Sequence, residues 1–137
     1  MSSKLRSGSS YKPISIIFYD LETTGFNPYH DSIIEIGAIK YFNGQISEFS
    51  SLISINKPLS KKISDITNIY DDDLINKPKI DLVLKDFNDF IFNDSETVYM
   101  IAHNNDSFDK LFLEINFEKI NLNFNKPIYI DSLRLCQ

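Results

Sequence analysis

The stretch from Ile14 to Gly25, which reads ISIIFYDLETTG, decides how the beginning of this chain folds. Its first half, Ile14–Tyr19, is rich in β-branched and aromatic residues, which predicts a buried strand that ends at Asp20. Residues i and i+2 of an extended chain point to the same side. Asp20 and Glu22 can therefore address one metal site if strand geometry persists through them, and Gly25 then permits a sharp turn.

A second acidic segment, residues 102–109 (AHNNDSFD), follows another run typical of a buried strand, Thr97–Ala102. It places Asp109 in the first turn of a helix that we expect to begin close to Ser107. Each segment alone has an ordinary explanation, because Asp20 and Glu22 could cap a strand in water, and Asp109 could be a simple first-turn acid. The metal hypothesis depends on the two segments together.

The remaining pattern predicts a mixed sheet. Ile33–Phe42 and a run that begins at Gln45 flank Asn43-Gly44, a strong signal for a tight antiparallel hairpin. Short helical turns are expected after Pro58. An amphipathic helix is predicted from apolar residues at helical spacing, namely Ile80, Val83, Leu84, Phe87 and Ile91. With a last strand at Ile128–Ile130, the order predicts an α/β fold in which three antiparallel strands precede parallel strands joined by crossover helices.

Composition indicates one globular domain. The chain has 137 residues, of which 42% are hydrophobic and 24% charged. We expect a flexible tail at residues 1–12 and a domain at 13–137. No apolar run reaches the roughly 20 residues of a membrane span or resembles a signal peptide, and the single Cys136 can form no internal disulfide. An intracellular, soluble protein of the cytoplasm or nucleus is expected.

The net charge of −5 argues against a protein that coats nucleic acid through a broad basic face. It does not exclude a nuclease, since metal ions held by carboxylates can supply the positive charge that meets a phosphate. Individual lysines could add to that charge, although scattered surface lysines are the ordinary interpretation. The lysines in question are Lys57, Lys61, Lys62, Lys77 and Lys79.

Together the two acidic segments resemble the first and second motifs of DnaQ-like (DEDDh) exonucleases of the DEDD superfamily. In that superfamily a strand ends in Asp-x-Glu-Thr-Thr-Gly, and a later helix carries Phe-Asp after His-Asn. Ser32–Ala38 and Ile63–Ile69 are similar to the second strand and the helical connector of these proteins, so the resemblance covers Ile14–Leu135. It implies a ribonuclease H-like fold. The spacer at residues 105–107 is similar to that of the TREX-type branch, whose members degrade DNA.

The resemblance implies a 3'-5' exonuclease that uses two Mg²⁺ or Mn²⁺ ions, one activating water and the other stabilising the departing 3' oxygen. It makes Asp20 and Glu22 direct metal ligands, and Asp109 a ligand that acts directly or through water. The substrate-binding residues that it implies are Leu21, Thr23, Thr24, His103, Asn104 and Phe108. The expected partner is a single-stranded 3' end, of DNA in preference to RNA.

One family feature is missing from this sequence. The third motif supplies a His that deprotonates water and an Asp about five residues later. The histidines here are His30 and His103, and Asp131 is expected to belong to a strand end and not to the metals. Losing a general base typically costs about 10²- to 10⁴-fold, so activity is expected to be low or absent.

We also expect the fold to be truncated at its C-terminus. The segment Tyr129–Leu135 resembles the strand that precedes the third motif. Missing helices would leave one sheet face bare, to be covered by self-association or by a partner segment. The alternatives to an exonuclease are a non-catalytic remnant that binds nucleic acid or nucleotide, and a plain interaction domain with solvated acids.

Overall fold

A computed structural model of the chain describes residues 13–104, 106 and 108–135. The predicted flexible tail at residues 1–12 lies outside these residues, as do Cys136 and two members of the predicted spacer, Asn105 and Ser107.

Five strands form one mixed sheet in the order β3-β2-β1-β4-β5. They are β1 (Ile14–Thr23), β2 (Ile33–Phe42), β3 (Gln45–Leu52), β4 (Thr97–Ala102) and β5 (Ile128–Asp131). β1, β2 and β3 pair antiparallel, whereas β4 pairs parallel with both β1 and β5. The predicted α/β architecture is confirmed.

The central strand, β1, is longer than the sequence predicted. It continues past Asp20 to Thr23, and its pairing with β2 shifts register only between Glu22 and Thr23. Asp20 and Glu22 therefore lie within continuous strand and share one side of it, as the metal hypothesis requires.

The helices are α1 (Lys61–Thr67), α2 (Asp71–Leu74), α3 (Ile80–Phe92), α4 (Asp109–Lys119) and α5 (Ser132–Leu135). Ser60 caps α1 by accepting a hydrogen bond from the Ile63 amide. The predicted last strand, Ile128–Ile130, is confirmed as β5, which extends one residue further to Asp131. Asp131 Oδ1 accepts the Leu133 amide at 2.9 Å, which favours the start of a helix. No helix in the described ranges is long and apolar enough to cross a membrane.

The hydrophobic core lies between the sheet and the helices α3 and α4. Phe87 of α3 and Phe112 of α4 are fully buried in one cluster with side chains from the facing side of β1 and β4, such as Ile17 and Met100. Phe49 of β3 packs on Phe87, with ring centroids 5.0 Å apart. Both helices thus cover the same face of the sheet.

A lysine occupies part of this core. Lys40 of β2 is 1% exposed, and its Nζ donates to Phe90 O and, at 2.7 Å, to Asn93 Oδ1. It also forms an ion pair with Asp94 at 2.7 Å and lies 4.5 Å from the centroid of the Phe90 ring. The ammonium group therefore joins the sheet to the C-terminal end of α3.

The opposite face of the sheet carries exposed apolar side chains. Phe18 is 47% exposed and meets Tyr41 edge to face, and Ile16 and Ile39 lie alongside on the same face. Central strands that are apolar on both faces normally have cover on both faces. The bare face agrees with the expectation from the sequence, while the predicted self-association or partner segment stays a prediction.

Candidate active site

Three acidic residues lie at or after the carboxyl ends of two neighbouring strands, a part of the sheet that we call the acidic edge. Asp20 and Glu22 lie near the carboxyl end of β1, and Asp109 begins α4 after the parallel neighbour β4. The carboxyl ends of parallel strands share one edge, which is where ligands bind in open α/β sheets. The predicted metal-binding residues are thus brought to the same part of the molecule.

Asp109 is the most perturbed carboxyl group of this edge. It is 4% exposed, and burial raises its pKa from 3.8 to about 7, helped by the charges of Asp20, Glu22 and Asp131. A hydrogen bond from the Leu21 backbone acts in the opposite direction. Its Oδ2 atom is buried with no hydrogen-bond partner. A buried acceptor without a hydrogen bond lowers the stability of the folded state. Binding a proton or a cation at Asp109 would therefore stabilise the protein.

Glu22 has a similar but weaker perturbation. Burial raises its pKa, and the charges of Asp20 and Glu35 raise it further. Glu35 lies directly across from Glu22 in the β1–β2 register. Sequence reasoning did not select Glu35, and the signal that could have revealed it is the pairing register of β1 with β2, which places Glu35 opposite Glu22.

The donor set fits a hard divalent cation in its chemistry. Carboxylate oxygens are the ligands that Mg²⁺ prefers, and the repulsion that raises the Glu22 and Asp109 pKa values is relieved by a positive ion. In the part of the chain that the structure describes, no three acidic, His or Cys residues converge closely enough to form a ready ligand cluster. The charges of Asp20 and Glu22 nevertheless act on Asp109, so the three carboxylates lie in the same part of the molecule.

The loop after β1 is held rigid by the carboxylate of Asp31. Its Oδ2 accepts the Asn27 amide at 2.9 Å, and its Oδ1 accepts the Thr24 hydroxyl at 3.2 Å. Thr24 is tied to Ser32 twice, because its amide donates to Ser32 O and its Oγ1 accepts the Ser32 amide, both at 2.9 Å. Gly25 packs directly against Asp31. The predicted substrate residue Thr24 therefore has a fixed position.

Replacing Gly25 with Ala is expected to disrupt this loop. A Cβ atom there would lie within 2.8 Å of all three atoms of the Asp31 carboxyl group, and such overpacking typically costs about 1–3 kcal/mol. Urea unfolding of Gly25→Ala measures the loss. Gly37→Ala is the matched control, since a Cβ at Gly37 meets nothing within 4 Å; equal stability of the two variants would contradict the prediction.

The other predicted substrate residues differ in accessibility. Leu21 and Thr23 are buried, and the Thr23 hydroxyl donates to Gly25 O at 2.6 Å. Phe108 lies between Phe112 and Phe26, with ring centroids 4.8 Å and 6.2 Å away. Two of these predicted residues are exposed beside this edge, His103 and Asn104.

His103 and Asp131 have partners that indicate structural roles. His103 Nδ1 lies 3.3 Å from Ser132 Oγ. Asp131 is buried, and its Oδ2 accepts the Asp106 amide at 3.0 Å while Oδ1 caps α5. Arg134 joins the Asp106 carboxylate at 2.9 Å. These contacts agree with Asp131 as a strand-end residue that ties two loops together.

The order and directions of the five strands define a ribonuclease H-like fold. A family model for exonucleases, RNase_T, matches residues 17–137, and the chain belongs to this family. The resemblance to DnaQ-like exonucleases is thereby confirmed, whereas the similarity of the spacer to the TREX-type branch stays a prediction.

Curated relatives are DNA polymerases. The PolC-type DNA polymerase III of Thermotoga petrophila is 39% identical over 131 residues, which are 94% of this chain and 9% of that protein. The corresponding protein of Bacillus cereus is 34% identical over 122 residues, 88% of this chain and 8% of that protein. The chain thus spans less than a tenth of the length of these relatives.

Solved structures with this fold include exonuclease I. A product-bound exonuclease I has a TM-score of 0.70 at 17% identity, over 89% of this chain and 30% of the other. A zinc-bound complex of E. coli exonuclease I with single-stranded DNA has a TM-score of 0.71 at 17% identity, over 89% of this chain and 28% of the other. These likenesses confirm the ribonuclease H-like fold.

Proposed function

We propose that this chain is a metal-dependent 3'-5' exonuclease domain that removes nucleotides from DNA 3' ends by phosphodiester hydrolysis. The observation that carries the proposal is the buried, unpartnered Oδ2 of Asp109 beside the charges of Asp20 and Glu22. DNA as the substrate is supported by the polymerase relatives and by the single-stranded DNA held in the E. coli exonuclease I structure.

Asp20, Glu22 and Asp109 are the residues that would hold two Mg²⁺ or Mn²⁺ ions. When bound, such ions neutralise the phosphate charge and supply Lewis-acid catalysis to both the attacking and the leaving oxygen. Glu35 faces Glu22 and adds negative charge to the same edge. The protein's own contribution is to keep these carboxylates close despite their mutual repulsion.

The substrate side of the site is formed by the Asp31-braced loop and by Phe108. Thr24 is fixed by its hydrogen bonds to Asp31 and Ser32, so it can contact a terminal nucleotide from a constant position. Phe26 is 85% exposed next to Phe108 and gives this side an apolar, aromatic surface. Leu21 and Thr23 support the loop from the buried side of β1.

The weakest element of the proposed reaction is the removal of a proton from water. Neither histidine of the sequence follows Asp109 in the pattern of the third motif. His103 Nδ1 lies 3.3 Å from Ser132 Oγ, a contact that indicates a structural role. We therefore expect cleavage by the chain alone to be reduced by about 10²- to 10⁴-fold, the usual effect of a missing general base.

The contact of His103 with Ser132, in place of a catalytic role, favours one alternative: a non-catalytic domain of the same fold that binds nucleic acid or nucleotide. It would keep the acidic edge and the braced loop but cleave nothing. A plain interaction domain, by contrast, would bind neither Mn²⁺ nor a nucleoside monophosphate.

The deciding experiment is digestion of a 3'-labelled single-stranded DNA oligonucleotide with Mn²⁺ or Mg²⁺, comparing the native chain, Asp20→Ala and the surface control Asp81→Ala. The proposal expects slow, stepwise loss of the 3' label that Asp20→Ala abolishes and Asp81→Ala retains, since Asp81 lies exposed on α3. No cleavage by any of the three proteins would favour the non-catalytic alternative. Cleavage that survives Asp20→Ala would contradict the metal site.

A further inference from the structure

A cavity of about 310 Å³ lies beside the braced loop and is not part of the acidic edge. Residues 53–57, which follow β3, form one wall of this cavity. The start of β2, the start of α3 and Asn116 of α4 form the others. Its polar lining includes Ser32, Ser54, Lys57, Lys79 and Asn116. None of the proposed metal ligands belongs to it.

The charge of this cavity is opposite to that of the protein as a whole. Among the described residues that line it are two lysines, Lys57 and Lys79, and no aspartate or glutamate, although the chain carries a net charge of −5. Lys57 also lines a neighbouring depression together with Asp71, whose carboxylate accepts the Leu59 amide at 2.8 Å. Two cations on one concave surface attract an anion.

The frame of the cavity is well ordered by hydrogen bonds. The Ser54 amide donates to Pro78 O at 3.0 Å, which joins the segment that carries Lys57 to the one that carries Lys79. Asn116 is 8% exposed and donates through Nδ2 to Phe112 O at 2.8 Å, so its amide group is held in place at the cavity wall. The two lysines therefore extend from fixed backbone.

The remaining lining is apolar, with isoleucine side chains such as Ile55 and Ile80. An inorganic ion would gain nothing from these walls, whereas a nucleotide would place its base or sugar against them and its phosphate at the lysines. The volume also falls at the lower end of the range of small-molecule sites.

The cavity is coupled to the proposed active site through Ser32. Ser32 lines the cavity and exchanges two hydrogen bonds with Thr24, both 2.9 Å long. Thr24 is therefore hydrogen-bonded directly to a residue of the cavity wall.

We propose that this cavity, the lysine pocket, binds the phosphate group of a nucleotide through Lys57 and Lys79, with its isoleucine walls against the sugar or base. The choice of ligand rests on the proposed function. The phosphate belongs either to the backbone of the substrate strand or to a free nucleoside monophosphate.

The test measures binding without catalysis, by fluorescence anisotropy of a labelled single-stranded DNA oligonucleotide in EDTA over a range of salt concentrations. Lys57→Gln and Lys79→Gln are each expected to weaken binding about 2- to 10-fold and to reduce the slope of log K against log salt by about 0.7, the value for one phosphate contact on a single strand. Lys85→Gln is the matched control, because Lys85 is exposed on α3 and lines no part of the pocket.

A second arm titrates the chain with thymidine monophosphate and follows the side-chain amide resonance of Asn116 by NMR. A shift that both lysine variants remove identifies the free nucleotide as a ligand. If the lysine variants bind the oligonucleotide more weakly but thymidine monophosphate causes no shift, the ligand is the phosphate backbone of the substrate strand. Lysine variants that behave like Lys85→Gln, or a native chain that binds neither probe, would overturn the pocket. If binding depended on the two lysines but the chain cleaved no DNA, the lysine pocket would be supported and the proposed exonuclease function would be contradicted.

Discussion

Replacing Asp109 with Asn is expected to make the metal-free protein more stable at pH 8 and to remove most of its response to Mn²⁺. Asp109 is buried, and its pKa is raised to about 7. At pH 8 the native carboxylate is ionised in a poorly solvated place beside Asp20 and Glu22. The neutral amide avoids that cost, but it removes a metal ligand.

The sign of the pH dependence follows from the raised pKa. Between about pH 4 and pH 7 the folded chain keeps a proton on Asp109, whereas the unfolded chain, with the ordinary value of 3.8, has released it. The folded state thus binds more protons, so the free energy of unfolding falls as the pH rises through this window. At about 1.36 kcal/mol per pKa unit, the upper limit of the loss is about 4 kcal/mol.

Thermal or urea unfolding between pH 4 and pH 8, with and without Mn²⁺, checks this prediction. The native chain is expected to lose stability as the pH rises and to regain about 2.7 kcal/mol at an ion concentration of 100 times Kd. Asp109→Asn should flatten both responses. The control is Asp81→Asn, which alters a first-turn acid on α3 that is exposed. A native-like pH profile and Mn²⁺ response in Asp109→Asn would show that this carboxyl group is not at the metal site.

Replacing Lys40 with Ala is expected to cost about 2–5 kcal/mol of unfolding free energy, the usual effect of truncating a long buried side chain to alanine. The substitution removes three polar contacts at the end of α3, to Phe90, Asn93 and Asp94. It also leaves a cavity where the aliphatic stem was packed.

Urea unfolding should separate the two causes. Lys40→Met keeps most of the stem volume and is expected to lose less than Lys40→Ala, since Asp94 is 37% exposed and can be solvated by water. Lys85→Ala, on the exposed side of α3, should change stability by no more than about 0.5 kcal/mol. If Lys40→Ala proved as mild as Lys85→Ala, the ammonium group would not be joining α3 to the sheet.

Local patterns predicted most of the sheet. The bounds of β2 and β4, and the start of β3 after Asn43-Gly44, agree with the structure because alternation and turn chemistry act over a few residues. The persistence of β1 to Thr23 depends on pairing with β2, which is a long-range interaction. The same limit applies to Lys40, whose position in the strand alternation indicates the core face but not the partners that make burial tolerable.

The sequence predicted which residues form the candidate site, but it did not predict the interactions among them. Asp20, Glu22 and Asp109 were chosen from motifs, and the topology brings them to one edge. The contribution of Glu35 depends on strand register, and that of Asp131 depends on where β5 ends beside β4. Neither is encoded in the spacing of residues along the chain.

Asparagine takes the place of glycine at the tightest backbone positions of this fold. The non-glycine residues with positive φ in the described ranges are all asparagines, at 43, 68, 76, 104 and 121. Asparagine tolerates the left-handed region better than most residues, and unlike glycine it narrows the range of conformations open to the unfolded chain. An asparagine at each of these turns therefore loses less backbone entropy on folding than a glycine at the same position would. Part of the chain's stability thus comes from a more restricted denatured state.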